Sequence, residues 1–341
     1  GCWFCAWPVA ALGAAVGEAT LGRTAGNRAI MWGAIAGTLP DLDVLANPIL
    51  DEIAQLGWHR GPSHAFFYLT LGAPVIGWLI SRIHGKYGSW RRWTALVYLA
   101  FVTHVLLDTF TVYGTQLFLP FSNYPAAFNS ISIIDPLYTL PLLIPLLAAM
   151  FFRKTRPIRR QLVAIGLIIS TGYLGATVAA KVHVNDVVEQ SLAQQQLTGA
   201  EYITAPTIFN AILWRATVKT EGGFLVGHYS LLDKDMQIEF ALIPNDTTLI
   251  NRYAHTDAIR RLQWFSRGYL LAYEVNGTAR LHDLRFGELN HDNSARRSFI
   301  FGWDLVSSDQ RPDGWGLRRV SPNMDEPGRA LMALWQRLLG E

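Results

Sequence analysis

Four stretches in the first 181 residues contain no Asp, Glu, Lys, Arg or His: Gly1 to Gly17, Ala65 to Ser81, Pro136 to Phe152 and Gln161 to Ala180. Each reaches the roughly 17 residues at which a helix begins to span a hydrocarbon core about 30 Å thick. Two more apolar stretches are interrupted. Ala29 to Pro40 is short and ends at Asp41, and Trp93 to Leu119 contains His104 and Asp108. Together they predict a polytopic α-helical membrane bundle of about six spans over residues 1–181. Composition agrees: only 16% of the 341 residues are charged and 50% are hydrophobic, whereas a soluble domain carries roughly 25% charged residues.

The basic residues between the expected spans give an orientation. Arg23 and Arg28 follow the first span, Arg82, Lys86, Arg91 and Arg92 the third, and Arg153, Lys154, Arg156, Arg159 and Arg160 the fifth. All fall on one side, which the positive-inside rule assigns to the cytoplasm. The loops at 44–63 and 113–133, and everything after Lys181, then face outward. Trp78, Trp90 and Trp93 flank spans as interfacial aromatics do. The first segment reads as a span rather than a signal peptide, because it lacks a basic start. Cys2 and Cys5 have no second Cys pair to complete a zinc knuckle and read as small apolar residues.

Residues 182–341 read as a separate small α+β domain outside the membrane. Their hydrophobic runs shorten and alternate over 208–218, 224–232, 237–243, 269–274 and 279–286, with turn signals at 221–223, 244–246 and Asn276-Gly277. Thr256 to Phe265 and Gly328 to Leu339 carry helical patterns. The formal charge divides as about +6 before residue 182 and −3 after it, and no run is basic enough for a phosphate footprint, so direct nucleic-acid binding is not expected.

Chemistry concentrates in the first 140 residues, where ionisable groups at span ends are expensive and point to function. Pro40-Asp41-Leu42-Asp43 closes the second span; on an extended segment Asp41 and Asp43 would point the same way. His59-Arg60-Gly61-Pro62-Ser63-His64 precedes the third span, with Ser63 as the expected N-cap, His64 starting the helix and Arg60 able to hold an anionic group. His104 and Asp108, four apart, share one face of the fourth span. Glu18, at the far end of the first span, is a further possible ligand. The predicted metal ligands are therefore Asp41, Asp43, His59, His64, His104, Asp108 and Glu18. Imidazole mixed with carboxylate suits Zn first, then Mn or Fe, and six convergent groups would accommodate one or two ions.

These motifs, taken in order as Gly17-Glu18-Ala19, Gly37-Thr38-Leu39-Pro40-Asp41-Leu42-Asp43, His59 to His64 and His104-Val105-Leu106-Leu107-Asp108, then Tyr113-Gly114-Thr115-Gln116 and Pro120-Phe121, resemble the YdjM-like family of inner-membrane metal-dependent hydrolases. The likeness covers residues 13–140, and longer members carry a C-terminal extension. It implies a multi-pass protein of the bacterial inner (cytoplasmic) membrane with hydrolase activity. One departure stands at the start, where relatives have Thr followed by His or Gln and this chain has Pro8 and Val9.

The sequence thus predicts hydrolysis by metal-activated water of an ester or phosphoester, from a small molecule or a membrane lipid, at the outer face. Asp43 or Asp108 would act as general base and Arg60 as a substrate contact. Two alternatives stay open. One is a non-enzymatic scaffold or regulator with a structural metal, whose C-terminal domain binds an unknown protein partner. The other is a transporter with an intramembrane His/Asp site, favoured by Pro136, Pro141 and Pro145.

Overall fold

The computed structural model describes residues 6–288, 299–322 and 327–340; Cys2 and Cys5 lie outside them. The chain divides into two compact units. The first holds Gly1–Ala46, Trp58–Val178 and Ile208–Asn210, and the second Asn47–Gly57, Ala179–Thr207 and Ala211–Glu341.

The first unit is helical. Helices α1 (Ala6–Ala25) and α2 (Asn27–Thr38) form an antiparallel hairpin turned at Gly26, whose φ of 59° suits glycine. Their contact is made of glycines. A Cβ at Gly13, Gly17, Gly33 or Gly37 would collide with the backbone oxygen of Gly33, Ala29, Gly13 or Val9 respectively, so only the bare backbone lets the helices approach this closely. After α3 (Glu52–Trp58), nearly all of which belongs to the second unit, come α4 (Phe66–His84) and α5 (Trp90–Thr109). The buried face of α5 runs through Trp93, Leu96, Val97, Ala100, Phe101, His104 and Asp108, the three-and-four spacing of one helical stripe. Helix α6 (Pro136–Met150) is capped by the Asp135 side chain, which accepts from Leu137 and Tyr138 N–H. Helix α7 (Pro157–Gln194) passes α6 at Gly166, which faces Pro141 O.

Six spans are not supported. The helices from Phe66 to Tyr87 and from Pro157 to Gln194 are long and apolar enough to cross a membrane. A third span is reached if α2 is counted with the Pro40–Ile49 segment, from which it is bent by 45°. The other stretches fail for physical reasons. Helix α1 carries Glu18 and Arg23 and buries a face made largely of Ala and Gly in the bundle. Helix α5 starts on Arg91 and Arg92 and holds His104 and Asp108. Helix α6 has 15 residues, about 22 Å at 1.5 Å per residue, short of the core thickness.

The second unit contains two four-stranded antiparallel meanders. Strands β1 (Tyr202–Pro206), β2 (Leu213–Thr220), β3 (Gly223–Ser230) and β4 (Ala241–Pro244) form one sheet; β5 (Leu270–Val275), β6 (Thr278–Asp283), β7 (Gly302–Ser307) and β8 (Trp315–Val320) form the other. Val184, Val187, Val188 and Leu192 of α7 pack with Trp214, Ala216 and Val218 of β2. The β5–β6 hairpin turns on Asn276 and Gly277, both at positive φ, as a two-residue hairpin loop requires. Short helix α8 (Thr247–Arg252) precedes α9 (Asp257–Ser266), which is capped by Thr256, and α10 (Pro327–Leu338) closes the described chain. Residues 47–57, expected as a plain outward loop, belong to this unit: Asp51 pairs with Arg311 at 2.6 Å, and Trp303 Nε1 donates to Glu52 at 3.3 Å.

Candidate metal centre

Three pieces of backbone deliver the site. The first is the break after α2, where Pro40 opens a 3₁₀ segment, Pro40–Ile49. On an extended segment, the conformation weighed from the sequence, Asp41 and Asp43 would point together. At three residues per turn, positions two apart diverge instead, and the two carboxylates reach opposite sides of the His64 ring, Asp41 Oδ1 at 3.3 Å from Nε2 and Asp43 Oδ2 at 3.7 Å from Nδ1. The second is the 59–64 turn, with Arg60 at φ 56° and a 3₁₀ turn over Pro62–His64. Ser63 is not the N-cap of α4, since that helix begins at Phe66 after Ala65; His64 ends the preceding turn. The loop carrying Thr115 and Gln116 clamps it: Gln116 N–H donates to Arg60 O and Phe66 N–H to Leu117 O, both at 3.0 Å. The third piece is α5, which presents His104 and Asp108 one turn apart.

Asp41, His64, His104 and Asp108 converge, and one ligand atom from each lies within 4.8 Å of all the others. The two Nε2 atoms of His64 and His104 are 3.2 Å apart. Asp108 Oδ2 sits 3.3 Å from each of them, and Asp41 Oδ1 is 3.3 Å from His64 Nε2 and 3.6 Å from His104 Nε2. His64 and His104 are sealed from solvent, Asp108 nearly so, and only Asp41 keeps substantial side-chain exposure, at 22%.

The surrounding bonds fix which nitrogens carry protons. His104 Nδ1 faces Gly37 O, a pure acceptor, and so must be the N–H. Ser63 Oγ donates to Asp43 Oδ2 at 2.8 Å and accepts from His64 Nδ1 at 2.9 Å. With a proton at each Nδ1, neutral imidazoles would turn their Nε2 lone pairs toward each other and toward two carboxylate oxygens. Asp108 Oδ2 is buried with no hydrogen-bond partner among the described residues. Four acceptors facing one point, with the imidazole protons held on the far sides by backbone and hydroxyl groups, fit a cation. A buried Asp/His/His/Asp cluster of this kind can bind a metal ion.

The other expected site residues lie around or away from this group. Asp43 accepts from His59 Nδ1 at 2.8 Å, from Arg60 N–H at 3.0 Å and from Ser63, so it holds the histidine turn rather than facing the cluster of four. His59 stands on Asp43 and against Tyr113, with ring centroids 5.0 Å apart. Arg60 pairs with Asp108 Oδ1 at 3.0 Å and donates to Thr111 Oγ1 at 2.7 Å. Glu18 is elsewhere: both its oxygens accept from Arg159 at 2.7 Å. Thr111 was not singled out in the sequence, and Gly37 and Ser63 were named there only as part of a motif and as an expected N-cap, not as supports of the histidines. Only Ser63, between two motif residues, offered a local signal.

A cavity of about 20 Å³ adjoins the site, lined by Arg60, Asp108, Thr111, Ser132, Asp135 and Tyr138, room for about one water. Val9, the departure noted at the start of the chain, lines it as well.

A family model described as YdjM inner membrane protein matches residues 10–184, about half of the chain. The chain is also similar to a curated protein of Bacillus subtilis (strain 168) named "Uncharacterized protein YfhP", with 25% identity over 314 residues, covering 85% of this chain and 88% of the relative. No solved structure matches.

Proposed function

This chain belongs to the YdjM inner membrane protein family, and from that premise we propose that Asp41, His64, His104 and Asp108 hold one divalent cation in a membrane-embedded hydrolase. The observation that carries the reading is Asp108 Oδ2, buried without a hydrogen bond and equidistant from two imidazole Nε2 atoms. Zn suits the donor set first, with Mn and Fe next. When bound, such an ion supplies Lewis acidity that brings the pKa of water toward neutrality and polarises an ester or phosphoryl oxygen.

The protein's own groups then divide the remaining work. Arg60 locks Asp108 by its Oδ1 and so keeps Oδ2 turned to the cluster. Asp41, the one exposed member, marks the side from which substrate enters. His59, held at Nδ1 by Asp43, has its ring centroid 6.1 Å from that of His64 and is placed to take a proton at Nε2. Asp43 supports that base by position, since its oxygens already accept three hydrogen bonds. The substrate class is an ester or phosphoester, and we place the site at the outer face of the bacterial inner membrane with the second unit extracytoplasmic, on the charge asymmetry of the loops.

One feature favours a second reading, a purely structural ion: four protein donors complete a tetrahedral shell. An octahedral ion would keep two positions free. The experiment is to strip the purified full chain of metal, reload it separately with Zn, Mn and Fe(II), and assay bis-p-nitrophenyl phosphate, p-nitrophenyl acetate and a phospholipid. Turnover that is lost with metal removal and reduced at least tenfold in His59→Gln supports the hydrolase. Metal-dependent stability with no turnover on any substrate supports the structural ion.

A further inference from the structure

A larger concavity of the helical unit is lined by α1 residues 9 to 14 positions beyond Val9, about 14–21 Å along the helix at 1.5 Å per residue. It is a cavity of about 700 Å³ between the end of α1 and the start of α7. Its rim carries Arg23, Lys154, Arg156 and Arg160, and its floor is apolar, with Ala19, Val163 and Leu167. Among the described residues no carboxylate pairs with the rim. Glu18, the one acidic lining residue, is committed through both oxygens to buried Arg159. Lys154 donates to Thr24 O, while Arg23, Arg156 and Arg160 make no ion pair among the described residues. Ala164 lines it too, and Ile168, one turn on from Ala164, continues that face of α7 as an exposed apolar side chain, on a helix that is long and apolar enough to span a bilayer.

A cationic rim over an apolar floor, opening onto the side of a spanning helix, matches a ligand with a phosphate at one end and hydrocarbon at the other. We propose that this pocket binds the headgroup of an anionic phospholipid, with the phosphate among Arg23, Arg156 and Arg160 and the acyl chains along the Ala164, Leu167 and Ile168 face of α7. The alternative source of the same chemistry, free inorganic phosphate, would use the rim and leave the apolar floor without a role. A topological charge excess alone would make all basic loops of this unit equivalent, and that difference decides the test.

The full chain is purified in mild detergent with equal amounts of phosphatidylglycerol and phosphatidylcholine, and retained lipid is counted by native mass spectrometry. Each basic residue near a membrane surface is worth roughly fivefold in binding. The wild type is expected to retain phosphatidylglycerol preferentially, and R156Q/R160Q to lose that preference by roughly 30-fold. The control R91Q/R92Q removes the same charge from the start of α5 and should keep it. All four positions are exposed, so the variants are expected to melt as the wild type does. Equal retention of the two lipids by the wild type overturns the proposal, as does an equal loss in R91Q/R92Q. Inorganic phosphate that binds with no lipid enrichment also overturns it. None of these readouts involves the His/Asp cluster, so the hydrolase reading stands or falls separately.

Discussion

Replacing Glu18 with Ala leaves the Arg159 guanidinium buried in the helical unit without its counter-charge. The pair is bidentate, with Nε and Nη2 of Arg159 each 2.7 Å from a Glu18 oxygen, and both side chains are sealed from solvent. The remaining partners of Arg159 are neutral: Asn27 Oδ1 at 2.7 Å, Phe152 O at 3.0 Å and Ala149 O at 3.4 Å. Removing one member of such a buried pair costs about 3–5 kcal/mol, most of it the uncompensated charge. Removing both charges, as in E18M/R159M, should recover at least half of that loss, because an apolar pair of similar volume replaces an ion pair at little net cost. The assay is unfolding of the full chain from mild-detergent micelles by sodium dodecyl sulfate, followed by far-ultraviolet circular dichroism. Metal content is measured on the same samples. The expected result is a large loss for Glu18→Ala, partial recovery in the double variant and unchanged metal stoichiometry. A single-variant loss below about 1 kcal/mol, the range of a solvated surface pair, would refute the burial argument. Loss of metal with stability retained would make Glu18 a ligand after all.

Other perturbations probe the supports of the site and the second unit. Asp43→Asn keeps the shape but puts an NH₂ opposite a donor, and should weaken Zn affinity by about 10- to 100-fold in calorimetric titration; unchanged affinity would remove Asp43 from the account. Gly33→Ala drives a methyl into Gly13 O, should cost about 1–3 kcal/mol by overpacking, and should also weaken metal binding, because α2 carries both Gly37 O and the approach to Asp41. A wild-type-like variant would mean that the hairpin is not this tight. His282 in β6 is buried, with Nδ1 on Phe301 O at 3.2 Å and Nε2 accepting from Tyr273 at 3.0 Å, and burial lowers its pKa from 6.5 to about 4. Between those values the unfolded chain binds a proton that the folded one does not, so stability is complete above about pH 6.5 and falls as pH drops toward 4. Pulse proteolysis in urea should show a loss of about 2–3 kcal/mol between pH 7 and 4.5 that is absent in His282→Gln; equal losses in both would assign the effect to other groups.

What the sequence disclosed follows the range of the interactions involved. His104 and Asp108 could be placed together because helical periodicity alone puts residues four apart on one face. The Asn276-Gly277 turn was readable for the same reason, and the helical pattern expected over Thr256 to Phe265 lies one residue from α9, with Thr256 as its cap and not its first residue. The span count was not readable, because Ala- and Gly-rich stretches serve equally as membrane helices and as buried helices packed by close backbone approach. In α1, Gly13 and Gly17 serve the close approach to α2, and Glu18 and Arg23 lower the hydropathy of the stretch. The partner of Glu18 lies 141 positions away, beyond any local pattern. The 3₁₀ geometry after Pro40 separated Asp41 from Asp43, although proline announced only that the helix must stop. Residues 47–57 carried no periodicity to say that Asp51 and Glu52 would be used by Arg311 and Trp303.

Metal titration of the stripped full chain tests the central claim most directly. Calorimetry with Zn, checked by elemental analysis, should give one ion per chain for the wild type and for Glu18→Gln, and a loss of at least 100-fold in affinity for each of Asp41→Ala, His64→Ala, His104→Ala and Asp108→Ala. Wild-type affinity retained in His104→Ala and Asp108→Ala, with the fold intact, would contradict it.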